Sequence, residues 1–232
     1  MKKVGLLLIT LISFATFGQK KSKKEDVVTL TTDFGSIKLI LFDETPQHKA
    51  NFLKLAKSGF YEGLLFHRII ENFMIQGGDP NSKNAEPGQK LGSGGGELAK
   101  IPFEFTSQHI HTKGALAAAR DNNPEKASSA CQFYIVQGKV FNEADLTAVQ
   151  NRNKMNYSPE QRKSYMTTGG TPHLDNNYTV FGTVIHNLKV VDDIAKQPRD
   201  AADRPLADIR MKMTVERMKK KKITKLYGYS FL

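Results

Sequence analysis

The sequence predicts a mainly β, antiparallel fold. It carries many short β-rich runs bounded by turn residues. Its two body helices are short and far apart, and strands do not alternate with helices as a parallel sheet requires. These features leave barrel and sandwich both open. At 232 residues the chain suits one or two domains and can bury a core without a staple. Its one cysteine, Cys131, rules out an intramolecular disulfide.

The elements follow in chain order. Met1-Lys2-Lys3 is a short positive start, and Val4 to Phe17 is uncharged and rich in Leu and Ile. The lysine-rich run Lys20–Lys24 follows. This is the layout of a signal peptide, residues 1–18, with cleavage favoured after Gly18 and a polar linker at 19–26. The apolar stretch is shorter than the ~20 residues a spanning helix needs, and no second stretch approaches that length. The expectation is export to the periplasm or beyond the cell, without stable membrane insertion.

Val27–Thr32 and Ser36–Phe42 nearly alternate around Asp33-Phe34-Gly35, so they predict a hairpin. Thr45 as N-cap with Pro46 just inside opens a helix that Gly59 stops. Leu64–Ile75 reads as β, and Pro80–Gly96 as loop. Gly114–Ala119 and Gln132–Gln137 are two further strands. Asn142–Met166 reads as a helical insertion, bounded at about 139–171, whose second helix starts with the capping box Ser158-Pro159-Glu160-Gln161. Tyr178–Ile185 is a strand, and Asn187 caps a helix running to about Lys196. Ile209–Val215 and Lys222–Tyr227 read as closing strands.

The net charge of +11 is uneven: Arg210–Lys225 holds eight basic residues against one Glu. A basic tail can serve an acidic partner surface or simply solvate an edge and discourage aggregation. Export argues against nucleic acid as the partner.

The chemistry concentrates in Phe66-His67-Arg68-Ile69-Ile70-Glu71-Asn72-Phe73-Met74-Ile75-Gln76-Gly77-Gly78-Asp79. In a strand, Met74 and Gln76 share a face. A cation, an amide, an aromatic ring and a thioether can converge there as an apolar pocket with a few placed polar groups. An ordinary core strand with a snorkelling arginine fits the same residues. The segment resembles the cyclophilin signature F-H-R-x-I-x-x-F-M-x-Q-G-G-D at every fixed position. Gly114–Arg120 resembles G-x-L-x-M-A-[NR], with Ala118 in place of Met. Ser128–Ile135 resembles S-x-x-S-Q-F-F-I, His173–Gly182 resembles W-L-D-G-x-H-x-V-F-G, and Gly92–Gly95 resembles G-T-G-G. Together the matches cover residues 27 to 227 apart from the insertion.

The resemblance implies a closed eight-stranded barrel capped by two helices. It also implies peptidyl-prolyl cis–trans isomerisation without a cofactor or metal, acting on proline-containing peptides and unfolded exported proteins, by a monomer. It assigns Arg68 as the catalytic cation. Phe73, Met74, Tyr134 and Leu174 then form the proline pocket, and Gln76 bonds the substrate backbone. Ala119, Arg120 and Gln132 line the groove before the proline, with Arg120 acting through its backbone. His173 and Tyr178 replace the usual Trp and His on the rim or wall, and Tyr134 replaces a Phe. A non-catalytic binding module for proline segments is the competing reading.

Other signals are discounted. His109 and His111 share a strand face but lack further metal ligands. His67 reads as a structural hydrogen-bonding residue, and Cys131 as buried and inert. Gly92–Gly96 lacks the Lys-Ser/Thr of a phosphate loop.

Overall fold

The computed structural model describes residues 22–231. The expected signal peptide, residues 1–18, lies outside them. Eight strands form one antiparallel sheet: β1 (Lys24–Thr32), β2 (Gly35–Leu41), β3 (Phe66–Ile70), β4 (Met74–Gly77), β5 (Ala115–Ala118), β6 (Phe133–Val136), β7 (Val180–His186) and β8 (Lys212–Lys219). Their order is β3-β4-β6-β5-β7-β2-β1-β8. The outer strands β3 and β8 do not ladder with each other. The sheet therefore curls into a half-barrel and not the closed barrel expected, and only a short seam joins its two edges. Leu65 bridges Arg210, Phe66 N–H donates to Ile209, and Met211 N–H donates to Leu64.

Alternation along the strands sorts side chains to the two faces. Leu116, Ala118, Phe133, Ile135 and Ile75 point inward into the main core with Leu30, Leu39 and Phe181. Helix α1 (Pro46–Lys57) adds Phe52, Leu55 and Ala56 to this core. Two further helices, α2 (Glu143–Asn153) and α3 (Pro159–Thr167), occupy the insertion, and α4 (Lys189–Ala195) adds Val190, Val191 and Ile194 to the core. The outward residues of β4, β5 and β6 are also apolar: Met74, Ala115, Ala117, Tyr134 and Val136 form a second cluster. An apolar outer face needs cover or a ligand.

Several local expectations change in three dimensions. The run Leu64–Ile75 contains one strand, the hairpin turn and the start of the next, because Asn72 turns the chain at φ 64°. Thr45 makes no side-chain cap on α1. Glu104 supplies the cap from 57 residues away, accepting from Gln47 N–H and His48 N–H at 3.0 Å each. Asn187 sits at φ 60° and donates to the Ser36 carbonyl, so it is a turn residue and Leu188 is the N-cap of α4. The second closing strand is instead helix α5 (Lys220–Tyr227). Ile223 and Tyr227, four residues apart, cover the outer apolar face made by Val27, Ile40 and Met218. Among the described residues no helix is long and apolar enough to cross a membrane.

Candidate active site

Small residues carve the site. Ala119, at the end of β5, leaves a depression on the outer face of the sheet, floored by Met74 and Tyr134 over the buried Ala115 and Ala117 and edged by Phe73, Leu174 and Tyr178. The depression opens as a cavity of about 450 Å³, a size suited to a small ligand. Nine of the eleven expected site residues line it: Arg68, Phe73, Met74, Gln76, Ala119, Arg120, Tyr134, Leu174 and Tyr178.

Arg68 lies on β3 opposite Gln76 of β4. Its side chain is 40% exposed, and its nearest carboxylate approach is Nε to Asp203 Oδ2 at 3.5 Å. The guanidinium makes no hydrogen bond to another described residue, so its donors can engage a ligand in the cavity. Asp203 also pairs with Arg199 at 3.1 Å, and its backbone carbonyl accepts from Ile69 N–H at 2.9 Å. The segment 199–204 is thereby docked beside Arg68.

The remaining predicted residues divide by role. Gln132 lies outside the first cavity and lines a neighbouring one of about 430 Å³, which shares Gln76, Ala119 and Arg120 with it. Its amide nitrogen donates to the carbonyls of Gly92 (2.9 Å) and Gly94 (3.0 Å), and its oxygen accepts from Gln76 Nε2 at 3.3 Å. Gln132 therefore holds the Gly-rich loop and Gln76 in place. His173 also lies outside the cavity lining. It is exposed and stacks behind Phe73 with ring centroids 5.6 Å apart. The Arg120 side chain is engaged within the protein: Nε donates to Asn177 O at 2.9 Å, and the guanidinium lies 4.7 Å over the Tyr178 ring.

The signature's Gly-Gly-Asp end has a clear structural purpose. Gly78 sits at φ 90°, and a Cβ there would run into the Cys131 carbonyl. Asp79 accepts from Asn81 N–H at 2.8 Å and from Gly92 N–H, folding loop 80–96 back to the cavity. His67 departs from the sequence expectation. It is buried, and neither ring nitrogen reaches a hydrogen-bond partner of normal geometry. Burial lowers its pKa to about 4, so the ring is neutral. Cys131 is buried, and burial raises its thiol pKa, which disfavours the reactive thiolate.

Two features were not visible in the sequence. One is a buried chain of hydrogen bonds running from the insertion through Asp175 and His111 to Tyr134. His111 is therefore committed to the pocket floor, while His109 stacks on Phe42, so the two histidines do not converge. Among the described residues no group of three or more His, Cys, Asp or Glu is placed to hold a metal. The other feature has the connectivity of a hydrolytic triad: Ser128 Oγ to His48 Nε2 at 3.0 Å and His48 Nδ1 to Glu104 at 2.6 Å. Ser128 and His48 are only 1% and 2% exposed, so this triad ties α1 to its neighbours and offers no nucleophile to a substrate.

An outer-face apolar hollow beside an arginine, on a curled eight-stranded sheet, defines a site for an apolar group flanked by a hydrogen-bond acceptor. The chain belongs to the cyclophilin-type peptidyl-prolyl cis–trans isomerases. The family model described as cyclophilin type peptidyl-prolyl cis-trans isomerase/CLD matches residues 27–216. A Streptococcus pyogenes serotype M6 relative, whose name joins a phosphatase to a peptidyl-prolyl cis–trans isomerase, is 37% identical over 187 residues. That match covers 78% of this chain and 37% of the streptococcal protein, so the chain spans well under half of it. A peptidyl-prolyl cis–trans isomerase of Arabidopsis thaliana is 34% identical over 187 residues, covering 79% of this chain and 91% of the plant protein. The crystal structure of a Cryptosporidium parvum cyclophilin type isomerase, determined in the presence of the dipeptide Ala-Pro, matches with a TM-score of 0.59 at 23% identity. It covers 82% of this chain and 98% of that one, and the likeness is one of fold.

Proposed function

We propose that the hollow binds the proline ring and that Arg68 is the catalytic cation, in an enzyme assisting the folding of exported proteins. An X–Pro bond resists rotation with a barrier near ~20 kcal/mol because the nitrogen lone pair conjugates with the carbonyl. Uncatalysed rotation takes tens to hundreds of seconds, roughly. Twisting the bond localises the lone pair on the proline nitrogen. A guanidinium that donates to that nitrogen is bound more tightly by the twisted state than by the planar one. Lowering the barrier by about 7 kcal/mol gives roughly five decades of rate. The reaction needs no nucleophile and no net proton transfer.

Phe73, Met74, Tyr134 and Leu174 hold the ring by apolar contact. Gln76, fixed by Gln132, is placed to bond the substrate backbone. Ala119 and Arg120 border both cavities, so a peptide can run from the proline hollow towards the residues before it. The observation that carries the reading is Arg68 itself, an arginine at the mouth of an apolar hollow with no competing hydrogen bond. The Ala-Pro dipeptide with the Cryptosporidium relative supports proline-containing peptides as ligands. The N-terminal layout supports export, and cell fractionation with antibody detection checks it.

In a peptide isomerisation assay, Arg68→Ala should lose activity by about tenfold or more, the worth of one charge-assisted hydrogen bond, while its melting temperature holds. Wild-type activity at background, or full activity in the variant, would sink the proposal.

A further inference from the structure

The insertion is built into the site. Helices α2 and α3 enclose a small core of Leu146, Met155, Tyr157 and Tyr165 with Phe141 and Ile110. From this core the hydroxyls of Tyr157 and Tyr165 each donate to Asp175 Oδ2 at 2.6 Å. Asp175 Oδ1 accepts from the His111 backbone N–H at 2.9 Å and lies 2.6 Å from His111 Nδ1. A carboxylate only accepts, so Nδ1 carries a proton, and in the neutral tautomer Nε2 is the acceptor. The Tyr134 hydroxyl, 3.0 Å from Nε2, donates to it. Burial raises the Tyr134 phenol pKa well above its ordinary value, which keeps that proton in place. The five residues are between 0% and 8% exposed, so these bonds lie in a low-dielectric surrounding that strengthens them. A second tie ends two residues before Leu174: the Pro172 carbonyl accepts from Asn153 Nδ2 at 3.2 Å.

We propose that the insertion is a positioning device for the proline hollow, in which Tyr157 and Tyr165, acting through Asp175 and His111, fix the ring of Tyr134 on its floor. The inference rests on the reading of the hollow as the proline site. Tyr134 stands where the resembling pattern carries a Phe. A phenyl ring there is held by packing alone. Here the ring is also held at its far end by a hydrogen bond, and the other end of that chain is the insertion. Tyr134 is thus a specificity-determining contact, while Tyr157, Tyr165, Asp175 and His111 are positioning residues that touch no substrate.

A double-mutant cycle tests this. Tyr157→Phe/Tyr165→Phe removes both hydroxyls and keeps both rings in the small core. It is made in the native background and in Tyr134→Phe, and kcat and KM are measured on an Ala-Pro peptide where thermal melts show every protein folded. In the native background kcat/KM should fall by about threefold or more, mainly through KM, because a floor out of place spoils ring binding. In the Tyr134→Phe background the same pair should cost less than about 1.5-fold, since the link is already cut. A purely structural role would lower stability equally in both backgrounds and leave KM alone. Equal losses in the two backgrounds, or no loss in the native one, overturn the proposal. If the paired variant does not fold, Tyr165→Phe alone goes through the same cycle under the same criteria. Arg68→Ala is run alongside. If it keeps full activity, the reading of the hollow is at fault. If it fails as expected while the cycle shows no coupling, only the role of the insertion is overturned.

Discussion

Asp203→Asn separates the charge beside Arg68 from the backbone that carries it. Asp203 sits at φ 64°, a region that Asn also tolerates. Its carbonyl bond to Ile69 N–H involves only backbone, so the segment stays docked. What is lost is the carboxylate charge 3.5 Å from Arg68 Nε and 3.1 Å from Arg199 Nε. The two side chains are 40% and 30% exposed, so solvent screening holds the pair to about 1 kcal/mol or less. An unanchored arginine has up to about 2 kcal/mol of rotamer entropy to lose when it is ordered at the transition state. Part of that cost is already met by Asp203. A loss near 1 kcal/mol corresponds to roughly fivefold in rate. The loss should fall on kcat, since the guanidinium grips the twisted imide more than the planar one. Steady-state isomerisation of an Ala-Pro peptide reads it directly. Raising salt on the wild type should move kcat the same way. A gain in kcat would mean that Asp203 competes with substrate for Arg68, and would refute the anchoring argument.

Two predictions concern stability. His67 has its pKa lowered to about 4 by burial, against an unfolded value near ~6.5, so the unfolded chain takes up the proton first as pH falls. Native stability tied to this residue is therefore intact above about pH 6.5 and is lost progressively towards pH 4, by roughly 3 kcal/mol at most. Denaturant melts of His67→Leu should show a shallower fall between those pH values, and identical slopes would refute the assignment. Glu104→Ala removes the cap of α1 and the partner of His48. It should cost about 2 kcal/mol, roughly 4–8 °C in melting temperature, with activity per folded molecule unchanged. A melt within about 1 °C of wild type would show that the distant cap contributes nothing.

What the sequence revealed was mostly local. The β1–β2 hairpin and the Ser158 capping box are set by residues within a few positions of one another, and both formed as expected. The hollow was legible through its motif, because Phe73, Met74, Gln76 and Arg68 lie within nine residues and the hairpin folds them onto one surface. The hairpin itself was missed, although Asn72, a residue that accepts left-handed backbone, was a usable signal. The last predicted strand failed for want of tertiary context. Ile223 and Tyr227 suit either structure, and the uncovered face of β1, β2 and β8 selected the helix. The Glu104 cap joins residues 56 and 57 apart in sequence, the Asp175–His111 bonds join residues 64 apart, and no periodicity reports such pairs. Gln132 lines the neighbouring cavity, and the commitment of its hydrogen bonds to the loop and to Gln76 had no signal in the sequence.

Exchange NMR on an Ala-Pro peptide, with wild type and Arg68→Ala, addresses the catalytic role of the guanidinium most directly because it reads binding and bond rotation in one sample. With the wild type, cis and trans peptide signals should interconvert far faster than in buffer. With the variant, the peptide should still shift the resonances of Phe73, Met74 and Tyr134, while interconversion slows by about tenfold or more. Undiminished interconversion in the variant would contradict the account.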